Sequence, residues 1–293
     1  MKLLTVFTPT YNRAFCLGNC YNSLVTQTNK NFNWLIIDDG SQDDTKALVN
    51  SWVLENKIDI QYHYQDNQGM HSAHNAAYKI IDTELNVCID SDDFMPDDGV
   101  EKILRIWDEE EDKKNIAGII GLDAFKDGSI AGKIPENLKY ATLSEIELEH
   151  KIKGDKKVVL RTDVVKEYPL YPITKAERLV PLGTLYLMIG QKYQFICSNE
   201  VFCIIEYLEG GSSNTILSQY RKSPNGFLYS RILEMKYSNN FSYTFSRAMH
   251  YISSCLFLHK WFFTKENPKK FITLLALPFG VMFHLYILYK IRK

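Results

Sequence analysis

The run Asp90–Asp93, which reads Asp-Ser-Asp-Asp, directly follows the apolar stretch Leu85–Ile89 and contains the side chains best suited to chemistry. Clustered carboxylates are unfavourable for folding alone, because like charges repel and partly buried carboxylates lose hydration. A hard divalent cation removes that conflict, since it prefers carboxylate oxygens and binds one or two of them together with substrate phosphates. The alternative is a solvated turn in which Asp92 or Asp93 caps the helix that follows.

Three other strand-like stretches also end in polar loops, and each loop precedes a helical pattern. The loops are Thr8–Arg13 after Leu3–Phe7, Asp38–Thr45 after Trp34–Ile37, and Asp66–Gly69 after a strand near Ile58 to Tyr64. Strand, loop and helix repeated four times predict an α/β fold with a mostly parallel, doubly wound sheet, Rossmann-like in arrangement. Such sheets bind ligands at the carboxyl ends of their strands, so we expect the four loops to converge on one crevice.

These motifs resemble those of glycosyltransferase family 2, the inverting, sugar-nucleotide-dependent enzymes of GT-A fold, including those that build bacterial surface polysaccharides. The resemblance rests on four segments, namely Thr8–Arg13, Asp38–Thr45, Asn67–Asn75 and Asp90–Asp93. Order and spacing match over roughly residues 1–125, and more loosely to about residue 230. The motifs specify the family but not the sugar that is transferred.

The resemblance implies a donor site in the first half of the chain. One group of residues would wall the nucleotide base or hydrogen-bond the uracil or ribose: Thr8, Pro9, Tyr11 and Asp39. Asp90 would lie near the ribose and the donor sugar, while Asp92, helped by Asp93, would bind the Mn²⁺ or Mg²⁺ that bridges the diphosphate. The other donor-binding residues implied are Asn67, Gly69, His74 and Ser91.

Two departures from the family pattern concern positive charge near the diphosphate. Many relatives have arginine where His74 stands, and a near subgroup has Gly-Gly-Lys where Gln68–Met70 stand. Because Met70 carries no charge, we expect His71 or His74 to supply the missing cation. The alternative for His74 is a helix-face histidine that is packed for structure.

Inverting transfer also needs a base that takes the proton from the acceptor hydroxyl. The segment Tyr171–Pro181 resembles the stretch that supplies this acid in the family, and Glu177 is the matching residue. Relatives often carry a second glutamate where Leu182 stands, which leaves Glu177 as the one carboxylate to choose. The alternative is an exposed acid that pairs with Lys175 or Arg178.

Other downstream residues are weaker candidates. Glu206, at the start of the run Glu206–Ser212, resembles part of the family's Gly-rich loop near the acceptor, or is a charge on its rim. Arg221 and Lys222 would approach the diphosphate as a flexible lid closes, and a solvated basic turn is the alternative. The segment Lys153–Lys157 is expected to be an exposed hairpin or loop without chemistry.

Length and composition fit one catalytic domain with an appendage. We expect a catalytic domain over residues 1–235, divided near residue 125 into a nucleotide-sugar half and an acceptor-side half, and a helical segment over 236–293. A net charge of -1 argues against nonspecific nucleic-acid binding, which needs dense positive charge. Six scattered cysteines and the absence of a signal peptide before the first strand indicate a reducing, cytoplasmic location.

The C-terminal region becomes helical in pattern and rich in aromatic residues from Phe241 onward. Residues 271–289 carry no formal charge and have basic residues on both sides. About 20 apolar residues can span a bilayer, but Pro278 near the middle makes a lone span uncomfortable. We expect a broken helical pair in the interface of an anionic membrane, with soluble packing or a dimer interface and a true span as the alternatives.

Together these features predict an inverting glycosyltransferase that uses a nucleotide sugar, a UDP-hexose or UDP-N-acetylhexosamine, by metal-assisted single displacement. The acceptor is expected to be a glycan or a lipid-linked saccharide at the cytoplasmic face of the cell membrane, and a homo-oligomer is compatible with the sequence. A non-catalytic sugar-nucleotide or glycan-binding module is one alternative, but intact Asp90, Asp92 and Glu177 count against it. A nucleotidyltransferase would need a Gly-rich, basic phosphate loop after the first strand, and Thr8–Tyr11 is not one.

Overall fold

The computed structural model describes residues 2–130, 132–205, 215–265 and 267–291. In these ranges the strands are β1 (Leu4–Thr10), β2 (Phe32–Asp38), β3 (Ile60–Tyr64), β4 (Leu85–Cys88), β5 (Ile116–Phe125), β6 (Tyr140–Ala141), β7 (Lys156–Arg161) and β8 (Gln194–Ile205). The α-helices are α1 (Leu17–Val25), α2 (Thr45–Glu55), α3 (Met70–Ile80), α4 (Gly99–Glu109), α5 (Thr162–Lys166), α6 (Gly183–Ile189), α7 (Ile216–Lys222), α8 (Pro224–Tyr237), α9 (Phe241–Phe257) and α10 (Lys270–Ile291). A short π-helix covers Glu145–Glu149.

The eight strands form one mixed sheet in the order β3-β2-β1-β4-β7-β5-β8-β6. The strands β3, β2, β1 and β4 are parallel, and each is followed by a helix, which is the predicted doubly wound arrangement. In the second half, β5 and β8 are parallel to each other, whereas β7 and β6 are antiparallel to their neighbours. The α/β fold class is therefore confirmed, and the parallel half is the part that carries the predicted loops.

The central strands β1 and β2 are deeply buried, and their register with β3 aligns the carboxyl ends of all three strands. Every residue of β1 and β2 is buried. On one face, Tyr21 of α1 and Trp52 of α2 stack with 4.3 Å between ring centroids, and both stack on Trp34 of β2. Thr10 lies opposite Asp38, and Asp38 lies opposite Tyr64, so the three strands end at the same level.

The strand β1 extends further than its apolar run predicts, so Thr8, Pro9 and Thr10 belong to the strand and not to the loop. Proline lacks a backbone N–H and is tolerated in a sheet where no ladder bond is needed. The pairing of β1 with β4 ends at Phe7 opposite Cys88, whereas its pairing with β2 continues to Thr10. Pro9 therefore lies where β1 has already lost its neighbour on one side.

The chain divides into two compact units. The first contains the sheet and its helices up to Leu170, together with β8. The second contains Tyr171–Gln191 and the helices α7 to α10. The functional boundary expected at residue 235 stays a prediction, because these units divide the chain at other positions.

The core of the second unit lies between α8, α9 and α10. Gly280 lets α10 approach α9 closely, since a Cβ at that position would lie 2.7 Å from the Cβ of Ile252. The expected break in the C-terminal helices is wrong at Pro278, because α10 is one helix of 22 residues that runs through it. Proline removes one backbone hydrogen bond there, and packing against α9 holds the helix together.

All six cysteines are free thiols: Cys16, Cys20, Cys88, Cys197, Cys203 and Cys255. Three of them are fully buried, and none is exposed. This confirms that they serve as small side chains rather than as a disulfide framework.

Candidate active site

The loops after β1 and β2 are joined by hydrogen bonds. The Asn12 amide donates to Ser41 Oγ at 2.8 Å, and the Asn12 side chain accepts from the Gln42 amide at 2.7 Å. Asp43 accepts from the Ala14 amide at 3.0 Å. Asn12 has a left-handed φ of 52°, which asparagine tolerates better than most residues. These bonds fix two of the four loops against each other at the carboxyl edge of the sheet.

Asp39, implied as the uracil or ribose ligand, is buried and ties β2 to the loop before α3. Its Oδ1 accepts from the Gln68 amide at 3.0 Å, and its Oδ2 accepts from the Gly69 amide at 2.7 Å. Gly40, with a φ of 89°, leaves room for Asn67, whose backbone nitrogen would lie 2.8 Å from a Cβ at that glycine. The structure thus brings Asp39, Asn67 and Gly69 together, with the carboxylate holding the loop in place.

The acidic loop after β4 places its carboxylates in different surroundings. Asp90 and Asp92 are half-buried, whereas Asp93 is buried. Burial raises the pKa of Asp92, and the nearby Asp90 carboxylate raises it further. The positive charges of Arg13 and Lys157 oppose this rise. The surroundings of Asp92 therefore favour an additional cation.

Asp93 is anchored to the sheet. Its Oδ2 accepts from Cys203 Sγ at 3.7 Å and lies 3.9 Å from Lys157 Nζ. The next residue, Phe94, forms an antiparallel bridge with Ile204 of β8. Sequence alone does not separate the two neighbouring aspartates as metal ligands, and the geometry now favours Asp92, together with Asp90, over Asp93.

The donor set fits Mg²⁺ or Mn²⁺ that is bound together with phosphates. Among the residues that the structure describes, no group of three or more His, Cys, Asp or Glu side chains is arranged to hold a metal ion. Asp90 and Asp92 supply only hard oxygen atoms. Mg²⁺ usually takes one or two carboxylates and completes its shell with substrate phosphates and water, so two aspartates suffice.

The expectation that His74 supplies positive charge is wrong. His74 is 1% exposed, and burial lowers its pKa to about 4, so the imidazole is neutral at neutral pH. Its ring packs edge-on against Phe7 and Tyr78, and Nδ1 lies 3.2 Å from the Tyr78 hydroxyl oxygen. Packing for structure, the alternative, accounts for this residue. His71, the other candidate, is also buried.

The other implied donor residues divide between the core and the surface. Thr8 Oγ1 accepts a hydrogen bond from the Trp34 indole N–H at 2.9 Å, so this side chain faces the core. Pro9 and Ser91 are buried, whereas Tyr11 is 47% exposed. Of the residues expected to wall the nucleotide base, Tyr11 has the accessible side chain.

Two cations near the acidic loop were missed by the sequence reasoning, namely Arg13 and Lys157. Lys157 was expected in an exposed hairpin, and that prediction is wrong, because β7 begins at Lys156 and the Lys157 side chain is only 12% exposed. The apolar run Val158–Leu160 that follows is a strand signal that could have placed Lys157 in the sheet. Arg13, the last residue of the motif Thr8–Arg13, is the second cation, and its charge acts on Asp92.

In the second unit, Glu177 is buried and caps α8. Its Oε1 accepts from the backbone N–H and the side-chain Nδ2 of Asn225 at 3.0 Å and 2.8 Å, and its Oε2 accepts from the Gly226 N–H at 2.9 Å. A Cβ at Gly226 would lie 2.0 Å from the Leu179 carbonyl oxygen, so a glycine is required there. The alternative of an exposed acid is wrong for Glu177, and its catalytic role stays a prediction.

The predicted lid residues Arg221 and Lys222 are exposed, but they belong to the last turn of α7 rather than to a flexible loop. Basic side chains at a helix C-terminus interact favourably with the helix dipole. Their predicted approach to a diphosphate stays a prediction. Glu206 lies outside the described residues, as does the rest of the run to Ser212.

A cavity of about 590 Å³ lies at the opposite edge of the sheet from the acidic loop. Arg161, which lines it, pairs with Leu85 at the start of β4, whereas the acidic loop follows the end of that strand. The Arg161 Nε atom lies 2.7 Å from Asp163 Oδ1, and the Lys166 ammonium donates to the Ile81 carbonyl at 2.7 Å. Because it lies away from the acidic loop and its Arg161 and Lys166 are already partnered, the cavity is a poor candidate for the nucleotide site.

Loops and carboxylates that converge at the carboxyl ends of the parallel strands define a GT-A fold. Two solved structures have a similar fold. Staphylococcus aureus TarS in complex with UDP-GlcNAc is 17% identical, covers 96% of this chain and 81% of its own, and has a TM-score of 0.61. The mannosyltransferase PcManGT from Pyrobaculum calidifontis, in complex with GDP-Man and Mn²⁺, is 14% identical, covers 97% and 87%, and has a TM-score of 0.57. At these identities the likeness shows the fold.

Sequence comparison gives the family. Residues 5–142 match the family described as Glycosyl transferase family 2. A protein of Rickettsia felis (strain ATCC VR-1525 / URRWXCal2), described as an uncharacterized glycosyltransferase, is 34% identical over 106 residues, which are 36% of this chain and 17% of that protein. The match thus spans about a sixth of the length of that relative. Residues 5–142, which contain all four motifs, match glycosyltransferase family 2, the family that these motifs predict.

Proposed function

We propose that the chain is an inverting glycosyltransferase that moves a sugar from a nucleoside diphosphate to a hydroxyl of a glycan or a lipid-linked saccharide. The observation that carries the proposal is the pair of half-buried carboxylates, Asp90 and Asp92, at the carboxyl edge of the parallel strands. Burial and the Asp90 charge raise the pKa of Asp92, which marks a place that a cation with its diphosphate would complete.

In the proposed reaction, the acceptor oxygen forms a bond to the anomeric carbon while the bond from that carbon to the diphosphate oxygen breaks. The nucleoside diphosphate leaves with the electron pair of the broken bond, and the hydroxyl proton passes to a base. A bound Mn²⁺ or Mg²⁺ would neutralise the charge that develops on the diphosphate. Asp90 and Asp92 would hold that cation, and the Arg13 guanidinium adds positive charge beside Asp92.

We assign the base to Glu177 on the family resemblance. A carboxylate offers about four lone-pair positions, and the bonds from Asn225 and Gly226 take three of them. One position is left to accept the proton of an acceptor hydroxyl, and the three bonds would orient it. The base role thus depends on the same contacts that cap α8.

The donor is proposed to be a UDP-hexose or a UDP-N-acetylhexosamine. TarS, whose complex contains UDP-GlcNAc, has the higher TM-score, 0.61, and PcManGT, whose complex contains GDP-Man and Mn²⁺, has 0.57. The family resemblance at Asp39, implied as the ligand of the uracil or ribose, is the other support for a uridine nucleotide. The likeness supports nucleotide-sugar chemistry and a Mn²⁺-dependent donor site.

The proposal is tested by incubating the full chain with a panel of UDP-sugars and GDP-mannose, with a lipid extract as acceptor, in Mn²⁺ or in EDTA. We expect Mn²⁺-dependent release of UDP and transfer from one UDP-sugar. UDP-sugar binding without any turnover would instead support the non-catalytic module. Release of pyrophosphate from a nucleoside triphosphate with a sugar phosphate would support a nucleotidyltransferase. Either result would contradict the proposal.

We further propose that the enzyme works at the cytoplasmic face of a membrane, held there by α10. This helix is long and apolar enough to cross a bilayer, with a mean hydropathy of 2.1 over its most apolar window. One face is exposed along the whole helix, which is about 33 Å long. The exposed apolar residues of α10, here called the α10 stripe, are Phe271, Leu274, Leu275, Pro278, Phe279, Val281, Met282, Leu285, Tyr286 and Tyr289.

The charge pattern around the α10 stripe favours anionic lipid. Exposed Lys270 and Lys290 lie at its two ends, and no charged residue lies between them. In the segment before α10, Trp261 and Phe262 are exposed beside Lys260. Aromatic and basic side chains that flank an apolar face are typical of helices in the membrane interface, where each basic residue adds about 1 kcal/mol near anionic lipids.

Packing in the second unit argues that α10 lies in the membrane plane rather than across it. Its other face packs on α9, which carries Arg247. The Arg247 Nε atom lies 3.5 Å from Glu234 Oε2, and Arg231 Nη1 lies 2.6 Å from the same oxygen. If α9 and α10 crossed the bilayer together, this group of charged side chains would lie towards the hydrocarbon, where ionised side chains are costly.

Flotation of the full chain with liposomes tests the membrane proposal. We expect it to float with vesicles that contain phosphatidylglycerol and less with pure phosphatidylcholine. Replacing Leu274 and Leu285 by glutamate should abolish flotation, whereas Leu54→Glu, at an exposed leucine of α2, should not. The proposal would be contradicted if the full chain stayed soluble in the presence of anionic vesicles. It would also be contradicted if the chain formed a dimer without lipid and the double substitution at Leu274 and Leu285 dissociated that dimer.

A further inference from the structure

Lys157 of β7 is a buried cation in the middle of the sheet. Its side chain is 12% exposed, and its Nζ lies 3.9 Å from Oδ2 of Asp93, whose side chain is 10% exposed. Burying an ammonium group without a negative partner costs several kcal/mol. The position therefore depends on the carboxylates around it.

Two elements, the acidic loop and β5, bring carboxylates to Lys157. Asp93 comes from the acidic loop, and Asp123 of β5 lies opposite Cys203 of β8. Asp123 is 3% exposed, and its Oδ1 has no hydrogen-bond partner among the described residues. Burial opposes the charged form of Lys157, but the carboxylates of Asp123, Asp90 and Asp93 raise its pKa above the usual value, so the side chain is a cation.

The Asp93 end of the acidic loop is fastened twice. Beside the Lys157 and Cys203 contacts of its carboxylate, the Phe94 amide donates to the Ile204 carbonyl at 3.1 Å, and the Ile204 amide donates to the Phe94 carbonyl at 2.7 Å. Asp90 and Asp92, at the other end of the loop, remain half-buried. The two ends of one short acidic run thus differ in what holds them.

We propose that Lys157 is a positioning residue that binds Asp93 within the sheet, so that Asp90 and Asp92 alone face the cation and coordination positions stay open for the diphosphate. This inference rests on the proposed function and deepens it. Without the ammonium group, the negative charge of Asp93 is no longer balanced by Lys157 and acts on a cation bound at Asp90 and Asp92. The loop would then hold the cation more strongly while leaving less room and more negative charge for the diphosphate.

The test measures two affinities for the variant Lys157→Met. Mn²⁺ binding is followed by the electron paramagnetic resonance signal of free Mn²⁺, and UDP binding in saturating Mn²⁺ is followed by calorimetry. In this variant we expect Mn²⁺ alone to bind at least about threefold more tightly and UDP to bind at least about tenfold more weakly. Changes of this size are what the loss of one unit charge near the bound ions allows. A purely structural lysine would change both affinities in the same direction, or neither.

Three further variants serve as controls for the charge of Lys157, for its position and for the folding of the variant. Lys157→Arg should keep both affinities within about threefold, and Lys156→Met, which removes the same charge one residue earlier, should do the same. If Lys157→Met does not fold, Lys157→Met combined with Asp93→Asn replaces the ion pair by neutral groups, a change that is often tolerated. UDP binding near the wild-type value in that double variant would support the proposal, and UDP binding at least about tenfold weaker than in the wild type would overturn it.

Parallel loss of Mn²⁺ and UDP binding in Lys157→Met, or no change in either, would overturn the inference alone. A wild-type chain that binds no UDP in Mn²⁺ would overturn the proposed function and the inference with it. The two failures are therefore distinguishable.

Discussion

The acidic loop of the first unit and the Glu177 segment of the second unit use carboxylates in opposite ways. Asp90 and Asp92 are half-buried side by side, and burial together with the Asp90 charge raises the pKa of Asp92. Glu177 is buried as well, but three donors from Asn225 and Gly226 surround its carboxylate. The first arrangement is completed by a cation that comes from outside, whereas the second is already completed by the protein.

This difference shows that a carboxylate in a motif is defined by its partners. A buried acid that accepts hydrogen bonds from a helix N-terminus contributes to stability. A carboxylate beside a like charge costs stability until a ligand compensates for it. The same exchange of carboxylate for amide should therefore have opposite effects on stability in the two regions.

The largest effect is expected from Asp92→Asn. We expect the transfer rate to fall by about 100-fold or more, because a group that stabilises charge on the leaving diphosphate is lost. The unfolding temperature without metal should stay the same or rise, because a repulsive charge beside Asp90 is removed. Transfer assays and thermal unfolding in EDTA check both parts. An inactive variant with a clearly lower unfolding temperature would show that Asp92 is structural and break the comparison.

An effect of intermediate size is expected from Glu177→Gln. The side-chain amide that replaces the carboxylate has an NH₂ group, which cannot accept a hydrogen bond from Asn225 or Gly226. At least one buried donor is then left unpaired, which costs about 1–3 kcal/mol. The unfolding temperature should fall by several degrees, while UDP binding persists and transfer is lost.

The matched control is Asn225→Ala, which removes the bond from Asn225 Nδ2 and leaves the carboxylate in place. It should lower the unfolding temperature less and retain transfer. Full transfer in Glu177→Gln would end the assignment of the base while leaving the helix-capping role intact.

An effect that depends on pH, and that is small at neutral pH, is expected from His74. Its pKa is about 4 in the folded chain against an ordinary value of 6.5, so between these values the unfolded chain binds a proton that the folded chain does not. The stability that neutral His74 contributes is complete above pH 6.5 and is lost as the pH falls to about 4, by roughly 3 kcal/mol in all. Urea unfolding of the wild type and His74→Gln at pH 7, 6 and 5 measures this. If the free energy of unfolding changed equally with pH in the wild type and in His74→Gln, the conclusion that His74 is neutral and buried would be contradicted.

The sequence predicted the parallel half of the sheet because its apolar strands alternate with helices and end in polar loops. It also predicted the acidic loop, since Asp90–Asp93 lies at the end of an apolar strand. The charge state of His74 could not be predicted, because it depends on burial against Phe7 of β1, which is distant from α3 in the sequence.

Long-range pairing explains the other differences. Lys157 enters the site because β7 lies between β4 and β5 and antiparallel to both, an insertion that no local pattern encodes. Asp93 differs from Asp92 because β8 arrives beside it with Cys203. The capping of α8 by Glu177 joins residues 48 positions apart, and α10 passes through Pro278 because α9 supports it.

Calorimetric titration of the full chain with UDP, first in Mn²⁺ and then in excess EDTA, tests the central claim most directly. The claim is that Asp90 and Asp92 hold a cation that binds the diphosphate of a nucleotide sugar. We predict that UDP binds in Mn²⁺ and at least about tenfold more weakly in EDTA, and that Asp92→Asn removes the difference. Equal affinity for UDP in Mn²⁺ and in EDTA would contradict the account.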